Sequence, residues 1–251
     1  MLYNAFVRLL DKWENSAERW EALEDIIASR ASQLIDRVLE GLNISFDRAL
    51  DILRAHNGFI TDQERQQRDI LVAAIDNIID FAVAEECAMV DEMPDELDIE
   101  NYDIYDDLFD SYNGAGALQE NEDVFYAALM AGWWIGVTTE TLITFMTMGD
   151  ERVRPWHEAY EGYSYTKRDF PPELIPPIDW GCRCFLIAEG FASAMGKLTT
   201  DTAQIKCNPI FRESLAVGGR IFSEEHPYFK KPLPMEGMQI AKRLKSKFLS
   251  P

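Results

Sequence analysis

No lysine or arginine occurs between Arg68 and Arg152, a stretch that holds 21 acidic residues. Of the 44 acids in the chain the other 23 face all 24 basic residues, so the formal charge of −20 comes from this one block. A surface of that sign repels nucleic acid and speaks against a generic DNA-binding function; it suits a basic protein partner or a solvated segment. Cysteine is scarce. Four in 251 residues do not make a disulfide scaffold and fit synthesis in a cytoplasm. Long apolar runs are missing too: the best, Ala127 to Val137, is too short to span a bilayer, so no membrane partner is expected. The N-terminus carries acids early and lacks an apolar run with a small-residue cleavage site, so no signal peptide is expected there.

What is present is a chain 47% hydrophobic, enough to pack a core. Trp20, Leu23, Ile26, Ile27, Leu34, Ile35, Val38 and Leu39 recur near helical spacing and predict a helix capped at Ser16. A shorter helix is expected over about Ser45 to Ala55, stopped by Asn57 or Gly58. "TDQE" has the capping-box form, with Thr61 as N-cap and Glu64 three residues on. The helix it opens would bury Ile70, Leu71, Ala74, Ile75, Ile78, Ile79 and Val83. Residues 91–121 are acidic, aromatic and broken by Pro94 and "NGAG", and read as an excursion. Their acids do not fit a calcium loop, which needs glycine at its sixth position and glutamate at its twelfth. "EDVFYAALMAGWWIGV" reads as a buried helix, "ETLITFMTM" and "CRCFLIAEG" as strands, and the basic C-terminus as a short helix or tail. The expected class is α+β: a helical part over 1–90, the excursion, a small mixed α/β domain with a short sheet over 122–230, and a basic tail over 231–251.

The second half carries an ordered set of unlike residues. Asp150, Val153, Arg154 and His157 form Asp-x-x-Val-Arg-x-x-His, Gly162 follows five residues later, and Pro176-Pro177 lead to Cys182-Arg183-Cys184 and a strand. This pattern resembles the phage Mu F-like head morphogenesis family of minor capsid proteins. The likeness covers roughly Glu122 to Glu189, and "HPYF" at His226 to Phe229 is similar to the tail that often follows. The resemblance makes 122–230 a Mu F-like core. It implies a non-enzymatic virion protein of the phage head or neck, partnered by the portal or the major capsid protein.

Read as chemistry, these residues leave three arrangements open. In a structural clasp over Asp150, Val153, Arg154, His157, Gly162, Cys182, Arg183 and Cys184, Asp150 pairs with Arg154 or Arg183. His157 then bonds a backbone carbonyl and the thiols fill core beside Trp180. In a zinc site His157, Cys182 and Cys184 converge, with His226 or Cys207 as fourth ligand. In a catalytic pair, His157 oriented by Asp150 activates a cysteine, which would make the chain a Cys-His enzyme. A toxin-associated delivery module is a further alternative, and the acidic block admits a host regulator or DNA mimic. Tyr102, Tyr105, Phe109 and Tyr112, interleaved with acids, are expected to anchor the excursion on another protein, the portal or a second copy of the chain.

Overall fold

Short polar side chains set the first turns of the N-terminal helices. In the computed structural model, which describes residues 2–55, 58, 61–98, 103–189, 199 and 205–249, α1 spans Leu2–Asp11. Asn15 then accepts from the amides of Ala17 and Glu18 and opens α2, Ser16–Leu42. The cap thus falls one residue before Ser16, because the Asn15 side chain reaches both free amides of the first turn. Ser45 caps α3, Phe46–Arg54. Thr61 Oγ1 accepts from Glu64 N at 3.1 Å and opens α4, Asp62–Glu92. The apolar stripes expected for α2 and α4 are buried, Trp20 only partly. The stop read at Asn57 lies outside the described residues.

α2 packs against α1, α4 and, most extensively, α6, which spans Ala117–Ile135. Gly41 permits that last crossing: a Cβ there would sit 2.4 Å from the Phe125 carbonyl oxygen and 2.7 Å from the Ala128 methyl. Beyond α6 the chain forms a three-stranded antiparallel sheet in the order β2-β1-β3. The central strand β1, Leu142–Met146, buries Leu142, Ile143, Thr144 and Phe145. Its neighbours are β2, Ser164–Thr166, and β3, Phe185–Glu189. One turn of helix, α7 (Pro155–Glu158), lies between β1 and β2. The class is α+β, with the helices leading and a small sheet following.

The excursion is not loose. Asp103–Asn113 form a helix, α5, whose Tyr105, Phe109 and Tyr112 are 4%, 9% and 8% exposed. Phe109 stacks on Phe6 with ring centroids 4.6 Å apart, Tyr112 stacks on Tyr228, and the Tyr112 hydroxyl donates to Glu92. The expectation that these rings anchor a partner is therefore corrected. Spacings of four and three residues put them on one helix face, and that face closes the chain's own core. Tyr102 lies outside the described residues. The acids of the same stretch point outward, with Asp91, Glu92, Asp95, Glu96, Asp107 and Asp110 exposed.

The basic C-terminal segment is a helix, α8 (Met235–Leu249), packed on α4. Lys245 Nζ sits 2.7 Å from both Asp76 and Asp80, and Lys231 Nζ lies 3.2 Å from Asp91, so the acidic block is partly answered within the chain. No described helix is long and apolar enough to cross a membrane.

Candidate functional site

The motif's two halves meet where α7 faces the chain leading into β3. Cys182 and Cys184 precede that strand, which starts at Phe185. Alternation turns both sulfurs inward and Arg183 outward. His157, on α7, points Nδ1 at them: 3.3 Å to Cys184 Sγ and 3.9 Å to Cys182 Sγ. All three side chains are 2–4% exposed, and their ligand atoms lie within 4.8 Å of one another. His157 Nε2 is buried without a hydrogen-bond partner.

The 179–184 segment is held from several sides. Arg154 donates to the Trp180 carbonyl at 2.7 Å and pairs with Asp179 at 3.0 Å. Asn208 donates to Asp179, and Tyr126 on α6 donates to the Cys184 carbonyl at 2.6 Å. Asp123, also on α6, accepts from Gly181 N at 2.9 Å and from Gln119. Gly181 has φ +60, a left-handed conformation, with the Gln119 amide 3.2 Å from where a Cβ would be. Pro176-Pro177, in a cis linkage, lie just upstream. Gly162 has φ +81 and donates to the Phe145 carbonyl, continuing the β1–β2 pairing past a turn. Val153 is half-buried and closes a turn, its amide donating to the Asp150 carbonyl.

Electrostatics divide the two thiols. The Cys184 S–H and the His157 ring, helped by the Ile178 and Cys184 backbone amides, hold Cys182 well below the usual thiol range despite burial. Cys184 moves the opposite way: donating its S–H to the Cys182 sulfur and losing water both raise it. Burial pushes the Asp123 carboxyl up to about 7.

Three expectations are corrected. His226 does not join the thiols: it is caged by Phe81, Trp180, Phe222 and Tyr228, with ring centroids at 5.0, 5.6, 5.4 and 4.6 Å. Its Nδ1 accepts from Tyr228 N, and burial lowers its pKa to about 4. Cys207 is half-buried and outside the cluster. His157 bonds sulfur rather than a backbone carbonyl. Asp150 chooses Arg183, in a two-pronged pair at 2.7 and 2.8 Å, but the partners keep 41% and 34% of their side-chain surface in solvent. The clasp is thus buried at its sulfurs and wet at its ion pair.

A second polar centre lies among the helices, and the motif reading did not include it. Arg30, fully buried on α2, pairs with Glu85 at 2.7 and 3.2 Å and with Glu120 at 2.9 Å, and donates to Asn121. Glu86, also fully buried, accepts from Asn113. Burial first, and the Glu85 charge second, push Glu86 up to about 8 and Glu120 to about 9. One cation therefore serves three carboxyls, and burial raises the proton affinity of all three. The signal was present in the sequence: Arg30 stands four residues from Ile26 and from Leu34 on the apolar stripe, and Glu85-Glu86 interrupt the run from Phe81 to Val90.

Comparison with known proteins adds little to this geometry. No protein-family model matches the chain, and no solved structure matches it. A stretch of 42 residues is 45% identical to an uncharacterized protein of Methanocaldococcus jannaschii. It amounts to 17% of this chain and 7% of that protein, so the chain spans a small fraction of its relative's length.

Proposed function

We propose that the chain is a minor head protein of a tailed phage, acting without turnover in head morphogenesis beside the portal or the major capsid protein. One observation carries this reading. Residues 150–162 and 176–184, the two halves of the Mu F-like pattern, are joined by three separate pairings: Asp150 with Arg183, Arg154 with Asp179 and Trp180, and His157 with the thiols. A set of residues that resembles one pattern and assembles as one fastener suits a scaffold element. The burial of both sulfurs and the imidazole favours the fastener over a nucleophile that a substrate must reach.

The outward acids of residues 91–110 supply the recognition chemistry, a negative face for a basic patch on a neighbouring head protein. Mass spectrometry of purified virions and procapsids tests the assignment. The chain is expected at a fixed ratio to the portal, in a gene cluster with a portal and a large terminase. Absence from both particles overturns it.

A further inference from the structure

We infer that Cys182, Cys184 and His157 form a binding site for one soft divalent metal ion of the zinc type. The ligand set is two thiols and an imidazole, the donors such an ion selects over oxygen. A tetrahedral zinc, with bonds of about 2.3 Å to sulfur and about 2.0 Å to nitrogen, holds its ligand atoms about 3.5–3.8 Å apart. The imidazole nitrogen here stands 3.3 and 3.9 Å from the two sulfurs, on either side of that spacing.

The surroundings suit an ion better than they suit two bare thiols. Two thiolates and a neutral imidazole cancel the charge of a divalent cation, which is what a site 2–4% exposed requires. The backbone carrying the sulfurs is fixed from outside the site by Tyr126 on the Cys184 carbonyl, Asp123 on Gly181 N and Arg154 on the Trp180 carbonyl. Among the described residues no fourth histidine, cysteine or carboxylate joins the group. The described residues therefore supply three ligands to the ion. This inference rests on the geometry alone and stands whether or not the chain is found in virions.

The test uses the full chain, reduced, stripped with a chelator and titrated with cobalt(II). Uptake of about one ion per chain is expected, with the near-ultraviolet absorption of cobalt–thiolate bonds, bleached when zinc is added. Cys184→Ser should lose most of that absorption, while Cys87→Ser and Cys207→Ser keep it. Circular dichroism reports whether Cys184→Ser still folds. If it does not, X-ray absorption of the zinc-loaded wild-type chain decides: two sulfur neighbours at about 2.3 Å support the site. A shell of nitrogen and oxygen alone overturns it. So does a wild-type chain that binds no cobalt through sulfur, or absorption that survives the Cys182→Ser/Cys184→Ser double substitution.

Discussion

Arg30 and Arg183 each grip a carboxylate with two prongs, yet one sits where water cannot reach and the other at the rim of the sheet. Arg30 has no exposed side-chain surface and faces three carboxyls from α4 and α6. Arg183 keeps 34% of its side chain in solvent and, among the described residues, pairs with Asp150. Desolvation decides what each can do. In the interior, ions stripped of water must be matched or neutralised, so the arrangement constrains which helices can meet there. At the rim, water and salt share the charge, and the pair orients the Cys-Arg-Cys backbone without contributing much free energy.

The sharpest way to test that contrast is to remove the inner cation. Arg30→Ala leaves Glu85 buried with no counter-charge, beside Glu86 and Glu120. Urea denaturation should show a loss of about 3–5 kcal/mol, enough to unfold a marginal domain. Replacing the whole set, with Arg30→Met, Glu85→Leu and Glu120→Leu, should recover most of that loss, because the apolar set needs no hydration. If Arg30→Ala is as stable as the parent chain, the inner centre is not the constraint described here.

Acidity offers the next largest effect. Glu86 and Glu120 have folded-state pKa values raised from 4.5 to about 8 and about 9. The folded chain therefore binds more protons than the unfolded chain between those limits. Their contribution to stability is complete below about 4.5 and is lost as pH rises through 8 and 9, by about 1.4 kcal/mol per pH unit for each group at the steepest. The groups around them are Arg30 on α2, Glu85 on α4, Asn113 and Tyr112 on α5, and Tyr228 from the C-terminal segment. Asp123, raised to about 7, adds to the slope over its lower range, so substitution must isolate the helical centre. Glu86→Gln, neutral at every pH, should flatten the fall in melting temperature between pH 6 and 9. An unchanged slope in Glu86→Gln and Glu120→Gln would place the proton linkage elsewhere.

The two centres also differ in how far the sequence disclosed them. The sulfur site was legible because its residues are rare types in a fixed order, and alternation near β3 already implied that Cys182 and Cys184 share a face. His226 misled because following the motif along the chain says nothing about which way a ring turns. Local packing with Phe81 and Tyr228 decided that. The aromatic residues of α5 misled for a related reason. Composition marked the stretch as acidic, but the spacing of Tyr105, Phe109 and Tyr112 outweighs composition once a helix can bury them. Arg30's place on the apolar stripe was readable, but its partners lie 55 and 90 positions away, and no local pattern encodes that pairing.

The rim pair should give the smallest effect, and its size separates orientation from stability. Asp150 is held below the usual carboxylate range chiefly by its bonds to Arg183, but both groups stand in water. Asp150→Ala, Arg183→Ala and the double substitution form a cycle whose coupling should be a small fraction of the Arg30→Ala loss. It should shrink further in concentrated salt, since exposed charges are screened within a few ångströms there. Reaction of Cys182 and Cys184 with a thiol reagent provides a second readout. If the pair orients the segment, both single substitutions should speed labelling at these two cysteines while labelling at Cys87, under α8, stays as before. A coupling as large as the Arg30 effect would mean that the rim is drier than its exposed surface indicates. Unchanged labelling would mean that Arg154, Asp123 and Tyr126 hold the segment without it.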